Sequence, residues 1–193
     1  MKKLILIFAA LMLASCNTVA PVQRPVPRYV YQQYPQVLLN VGNIEVVEAY
    51  TTPSDGMHAE QMMPDPLPRA IATWARDHFK ANGGNGTLTI TVKDASVLKR
   101  DLQSMGGFKG AITVEQAERY DAKMLVEFKV DGNGSGPDGS GVVNVARGQT
   151  IAENASLQDR DLIWTKMAEA MMIDLDAGTQ KMLSSKLSFL LGR

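Results

Sequence analysis

The chain predicts an α+β two-layer sandwich, an antiparallel sheet of about four strands with two helices on one face, in the order β-α-β-β-β-α. Three observations lead there. Residues 120–130 alternate: Tyr120, Ala122, Met124, Val126, Phe128 and Val130 fall on one side, and Asp121, Lys123, Glu127 and Lys129 on the other. One sheet face is therefore buried and one wet, as in antiparallel sheets. Residues 86–98 alternate likewise, with Leu88, Ile90 and Val92 opposed to Thr87, Thr89 and Thr91. Two further segments, beginning near Leu67 and Leu157, carry apolar residues at helical spacing. Two such helices packed on one sheet face bury every stripe.

Taken in order, residues 37–41 and 44–50 read as one strand or a bent pair, broken at Gly42-Asn43, and residues 51–64 as a loop. Asp65 is expected to cap a helix with Pro66 at its first position. Leu67, Ile71, Trp74, Ala75 and His78 share one face of that helix, and Gly83-Gly84 is expected to end it. Residues 99–110 read as a connection, 112–119 as an ambiguous segment in which 113–118 is compatible with a short helix, 132–141 as a long flexible turn, and 142–151 as the returning strand. Ser156 and Asp159 resemble a capping box. The last helix then runs from about Leu157 to about Leu190, roughly 50 Å at 1.5 Å per residue. Its stripe is Trp164, Ala168, Met171, Leu175, Gly178 and Met182, with Lys166, Glu169, Asp176 and Gln180 elsewhere on the wheel. Gly178 costs about 1 kcal/mol against alanine and is read as a bend.

The opening of the chain bears on where the protein works. Met1-Lys2-Lys3 is a positive n-region and residues 4–13 an unbroken apolar h-region. That run falls well short of the roughly 20 residues that span a bilayer, so residues 1–15 read as a signal peptide. Leu13-Ala14-Ser15-Cys16 then resembles the lipobox of bacterial lipoproteins. The resemblance implies signal-peptidase recognition through Leu13, Ala14 and Ser15, and cleavage before Cys16. It also implies acylation of Cys16, palmitate included, which anchors the mature chain to a membrane. Cys16 is the chain's single cysteine, and a lipid thioether accounts for a lone thiol in an oxidising envelope. Position +2 is Asn17 rather than the aspartate of inner-membrane retention, which points to the periplasmic face of the outer membrane.

Residues 16–35 form a lipid-anchored tether with Pro21, Pro25, Pro27 and Pro35 interleaved with Tyr29, Tyr31 and Tyr34. Proline-rich chain favours extended polyproline II, so the tether reaches about 60 Å at roughly 3.1 Å per residue. Residues 36–193 are expected to form a single domain. Without residues 1–15 the chain carries 18 basic and 20 acidic side chains, a net charge of −2. There is no basic excess to attract nucleic acid.

The chemistry inventory is thin. A hydrolase needs a nucleophile beside a base, yet His78 lies on an apolar stripe. The serines of Gly134-Ser135-Gly136 and Gly139-Ser140-Gly141 lack the spacing of a nucleophile elbow. No H-E-x-x-H motif or cysteine pair supports zinc. Asp131, Asn133 and Ser135 match the start of a calcium loop, but Val142 stands where the chelating glutamate belongs. Met57, His58, Met62 and Met63 form the candidate metal cluster, thioether and imidazole ligands suited to Cu(I). Methionine equally serves as filler packing. No catalytic residue and no cofactor is expected.

The lipobox, the proline-rich tether and a β-α-β-β-β-α core resemble the small envelope lipoproteins that assist larger machines. Examples are the LPS-assembly lipoprotein and the auxiliary lipoproteins of lipid-transport ABC systems. The stretches LPRAIATWARDHF (67–79), TLTITVKDASV (87–97) and ASLQDRDLIWTKMAEAMM (155–172) are also similar to an uncharacterised group of proteobacterial lipoproteins. The resemblance implies a non-enzymatic accessory or scaffolding protein of an envelope assembly or transport complex, with a membrane and an envelope protein as its partners. The alternative is a periplasmic lipoprotein binding a small ligand or copper. The candidate contacts are the wet sheet face, the glycine hairpin and the edge strand 142–151, since an open edge invites strand addition.

Overall fold

The computed structural model describes residues 34–102 and 116–192. Its elements are β1 (Val37–Leu39), β2 (Asn43–Glu48), α1 (Leu67–His78), β3 (Phe79–Ala81), β4 (Thr87–Asp94), β5 (Val97–Asp101), β6 (Gln116–Asp131), β7 (Gly139–Ala152) and α2 (Leu157–Lys186). Short 3-10 turns occupy Glu60–Met62 and Ser188–Leu190.

The main sheet is built around β6. On one side β7 pairs with it antiparallel along nearly its whole length. On the other, β4 pairs with its second half and β5 with its first. β4 and β5 thus act as one long strand kinked by an irregularity after Val92. β2 completes the sheet beside β4. The architecture is α+β, as the patterning predicts. Its first strand joins parallel, Ile44 opposite Leu88 and Val46 opposite Ile90, because the chain crosses over through α1 between β2 and β4. A small second sheet pairs β1 with β3, also parallel. Leu39 bridges Leu191, and Asn40 N–H donates to Leu190 O at 2.8 Å, so both ends of the described domain meet there.

The buried face of the sheet carries Leu88, Ile90, Val92, Tyr120, Met124, Val126 and Phe128, each at most 1% exposed. Both helices lie on this side. α1 contributes Leu67, Ile71, Trp74, Ala75 and His78, the predicted face. Each fully buried large apolar side chain contributes roughly 1.5–3 kcal/mol.

Local details depart from the sequence expectations for identifiable reasons. The N-cap of α1 is Pro66, which makes no side-chain cap bond, with Pro68 in the first turn. α1 ends at His78, well before Gly83-Gly84: Phe79 turns extended to pack edge-on against Phe128 and to pair with β1. Lys80 Nζ donates to the freed carbonyl of Arg76 at 2.7 Å. Residues 86–98, read as one strand, divide between β4 and β5; residues 99–101, read as the start of a connection, belong to β5, and residues 116–118 are strand rather than helix. Residues 103–115, the rest of the last two readings, lie outside the described residues.

The hairpin between β6 and β7 is a bonded turn. Gly132 N–H donates to Asp138 Oδ1 at 2.8 Å, Asn133 N–H to Asp131 Oδ1 at 2.9 Å, and Ser135 N–H to Gly132 O at 3.0 Å. Residues 139–141 already belong to β7.

α2 opens with the capping box: Asp159 N–H donates to Ser156 Oγ and Ser156 N–H to Asp159 Oδ2, both at 3.1 Å. It ends at Lys186, and the chain continues through the 3-10 turn that seats Leu190 in the core. α2 runs unbroken through Gly178. A β-carbon on Gly178 would stand 2.8 Å from Val143 Cγ1, so this glycine sets how closely α2 approaches β7.

Candidate functional site

Leu13, Ala14, Ser15 and Cys16 lie outside the described residues, as does the tether up to residue 33. Tyr34, at the tether's exit, packs edge-on against the His78 ring, centroids 5.8 Å apart.

The methionine loop is divided by burial. Residues 57–59 run beside β5: Lys99 N–H donates to Met57 O and Ala59 N–H to Val97 O, both at 2.8 Å. Met57 and Met62 are 55% and 61% exposed, whereas Met63, at 4%, belongs to the core. His58 turns its Nδ1 to Asp55 Oδ1 at 2.8 Å, and that bond holds the Asp55 carboxyl below its usual range. The loop thus presents two thioethers to solvent, engages its imidazole with a carboxylate and sends the third thioether inward. Among the described residues, no group of three or more His, Cys, Asp or Glu is arranged to hold a metal ion.

Glu60 fastens the loop, and the sequence gives no sign of it. The side chain is fully buried; Oε1 accepts from Tyr50 O–H at 2.5 Å and Oε2 from Val97 N–H at 3.0 Å. Burial first, then the bond to Glu60, pushes the Tyr50 hydroxyl well above its ordinary pKa.

His78 is 2% exposed, stacked on Trp74 with centroids 5.5 Å apart and edge-on to Phe79. Its Nε2 lies 3.1 Å from Asp176 Oδ1 of α2. Asp176, placed by the wheel away from the stripe, is only 7% exposed. The buried side of α2 is two rows wide, and Met172, Asp176, Thr179 and Leu183 form the second row.

A second polar cluster closes the far end of the sheet. Half-buried Glu118 pairs with Lys99 Nζ at 2.9 Å, accepts from Tyr120 O–H at 3.0 Å and is bonded by Arg160 of α2. Burial disfavours its charge, but these three donors outweigh burial and hold the carboxyl below its usual range.

On the open sheet face Lys93 pairs with Glu127 at 3.1 Å, Lys123 with Asp94 at 3.0 Å and Arg119 with Asp121 at 2.8 Å, while exposed Lys129 has no ion pair among the described residues. The two sheet edges differ. β2 is six residues long with two glutamates, Glu45 and Glu48, and Glu48 pairs with Arg76 at 2.7 Å. β7 is 14 residues long, and Arg147 is its only charged residue. Among the described residues no strand pairs with its outer edge. Ser140, Val142, Asn144 and Ala146 of this edge strand lie exposed on the open sheet face, Val142 at 50%. Beside the hairpin, a cleft of about 350 Å³ is lined by Asn40, Asn85, Ser135, Pro137 and Phe189. None of the described helices is long and apolar enough to cross a membrane.

No family model and no curated protein matches the chain. Among solved structures it is similar to a DUF330 protein of Xanthomonas campestris, at 13% identity and TM-score 0.31, over 81% of this chain and 94% of that one. It is also similar to a hemagglutinin homologue of Helicobacter pylori described as neuraminyllactose-binding, at 12% identity and TM-score 0.34, over 78% and 88%. A minor lipoprotein of Acinetobacter baumannii aligns at 8% identity and TM-score 0.33, over 74% and 95%.

Proposed function

We propose that this protein is a non-catalytic, lipid-anchored accessory subunit of an envelope assembly or transport complex. On this reading Cys16 carries the lipid after removal of residues 1–15, residues 16–35 act as the tether, and the domain works at the periplasmic face of the outer membrane. The observation that supports partner binding is the outer edge of β7. Natural sheets blunt their edges with charge, proline, bulges or shortness. β2 uses charge and shortness, whereas residues 139–146 of β7 hold neither charge nor proline. An edge left in this state accepts an added strand, whose main-chain hydrogen bonds supply affinity.

The test is crosslinking of the full-length protein in its host cells and identification of what co-purifies. One dominant envelope protein is expected, lost in Cys16→Ala and in Val142→Lys/Ala146→Lys, which puts charge on the edge at exposed positions. A capture that survives both lysines contradicts the edge reading, and capture of nothing contradicts the accessory role.

A further inference from the structure

Along its second half, the free edge of β7 borders a groove. Arg147 and Gly148 of β7 form one wall, and Ile163, Lys166, Met167 and Ala170 of α2 form the other, around about 370 Å³. The α2 wall is apolar at its base, with Met167 buried and Ile163 and Ala170 half-buried. The rim holds one paired and one unpaired cation. Arg147 places Nε and Nη2 on one oxygen of Asp174, at 3.0 and 2.7 Å, and stays 42% exposed. Lys166 is exposed and has no ion pair among the described residues.

We infer that this groove receives an extended acidic segment of a protein partner, added as a strand beside β7. Its apolar side chain lies over Ile163 and Met167, and a carboxylate on the same side of the segment meets Lys166 and Arg147. The inference rests on the strand-addition reading and names the partner's chemistry. Strand pairing supplies sequence-independent affinity, while a groove that accepts alternate side chains supplies selectivity. An exposed lysine beside an apolar floor discriminates by charge, since opposite juxtapositions attract and like ones are rejected. Residues Leu-x-Asp fit this spacing, because positions i and i+2 of a strand share a face.

The probe is a fluorescein-labelled peptide with blocked ends, Ser-Leu-Thr-Asp-Thr-Leu-Ser, titrated by anisotropy against the full-length lipidated protein in detergent micelles. Its counterpart replaces the central aspartate with lysine. Saturable binding of the aspartate peptide is expected. Binding at least tenfold weaker is expected for the lysine peptide, and also for the aspartate peptide on Lys166→Glu, whose thermal midpoint should match the parent's. Equal binding of the two peptides, no saturable binding, or an unchanged titration with Lys166→Glu overturns the inference. In-cell capture separates the two levels. If capture is lost in Val142→Lys/Ala146→Lys while the peptides are not discriminated, strand addition stands and the acidic-segment inference falls. If capture survives those two lysines, strand addition itself falls.

Discussion

Nε2 of His78 lies 3.1 Å from Oδ1 of Asp176, and this contact joins the end of α1 to the middle of α2 within the buried layer. The two atoms are in contact but off line for a hydrogen bond. Asp176 spends its other oxygen on Gln180 Nε2 at 2.6 Å.

Removing one member of such a buried polar contact leaves the other without its neighbour, at a cost of about 1–3 kcal/mol. Asp176→Ala should therefore lower the urea midpoint sharply. The double replacement His78→Phe/Asp176→Leu should recover most of that loss, because a ring at position 78 still stacks on Trp74 and both polar groups are gone. Denaturant titrations of the three variants measure this coupling, and an additive double mutant would refute it.

Gly178 offers a test in which helix propensity and packing oppose each other. Alanine gains about 1 kcal/mol in a helix interior. The new methyl meets Val143 Cγ1 at 2.8 Å, on a β-branched side chain that is stiff at χ1, and overpacking costs typically 1–3 kcal/mol. Gly178→Ala is predicted to be neutral to destabilising by about 2 kcal/mol. Paired with Val143→Ala it should show the propensity gain instead. A plain stabilisation by Gly178→Ala alone would contradict the close approach of α2 to β7.

Glu118 sets an acid-sensitive contribution. Its carboxyl is held below the usual range in the folded protein, whereas in the unfolded chain it titrates near 4.3. The unfolded state therefore binds its proton first as pH falls. The contribution is complete at neutral pH, starts to fall near pH 4.3 and is lost through the lowered folded value. Urea midpoints from pH 7 to pH 3 should decline less steeply in Glu118→Gln than in the parent. Identical slopes would show that the Lys99–Glu118–Arg160 cluster contributes nothing.

Lipidation separates location from fold. Cys16→Ala should move the protein out of the membrane fraction or stall its processing, and the mature parent should carry the mass of an acylated Cys16. An unmodified Cys16 on the mature protein would contradict the anchor.

The regular part of the fold was legible because period-2 alternation in β4 and β6 and the Leu67–His78 stripe each answer to a single buried face. The parallel entry of β2 was not legible, since six residues of mixed polarity carry no record of their neighbour's direction. The end of α1 was missed because Phe79 is drawn into β3 by Phe128 and by β1, contacts remote in sequence. Asp176 and Glu60 escaped for a related reason: a carboxylate reads as surface until its buried partners, His78 for one and Tyr50 with Val97 N–H for the other, are brought to it. The groove needs β7 and α2 side by side, and neither strand nor helix shows it alone. The lipobox, by contrast, is a local motif readable without any fold.

The most direct measurement is photo-crosslinking in intact cells from single sites. A photoreactive residue at Asn144, exposed on the β7 edge, is compared with one at Lys181, exposed on α2. A discrete crosslinked product to one envelope protein is expected from position 144 and none from position 181. A product from position 181 alone, or none from either, would contradict a partner held at the edge of β7.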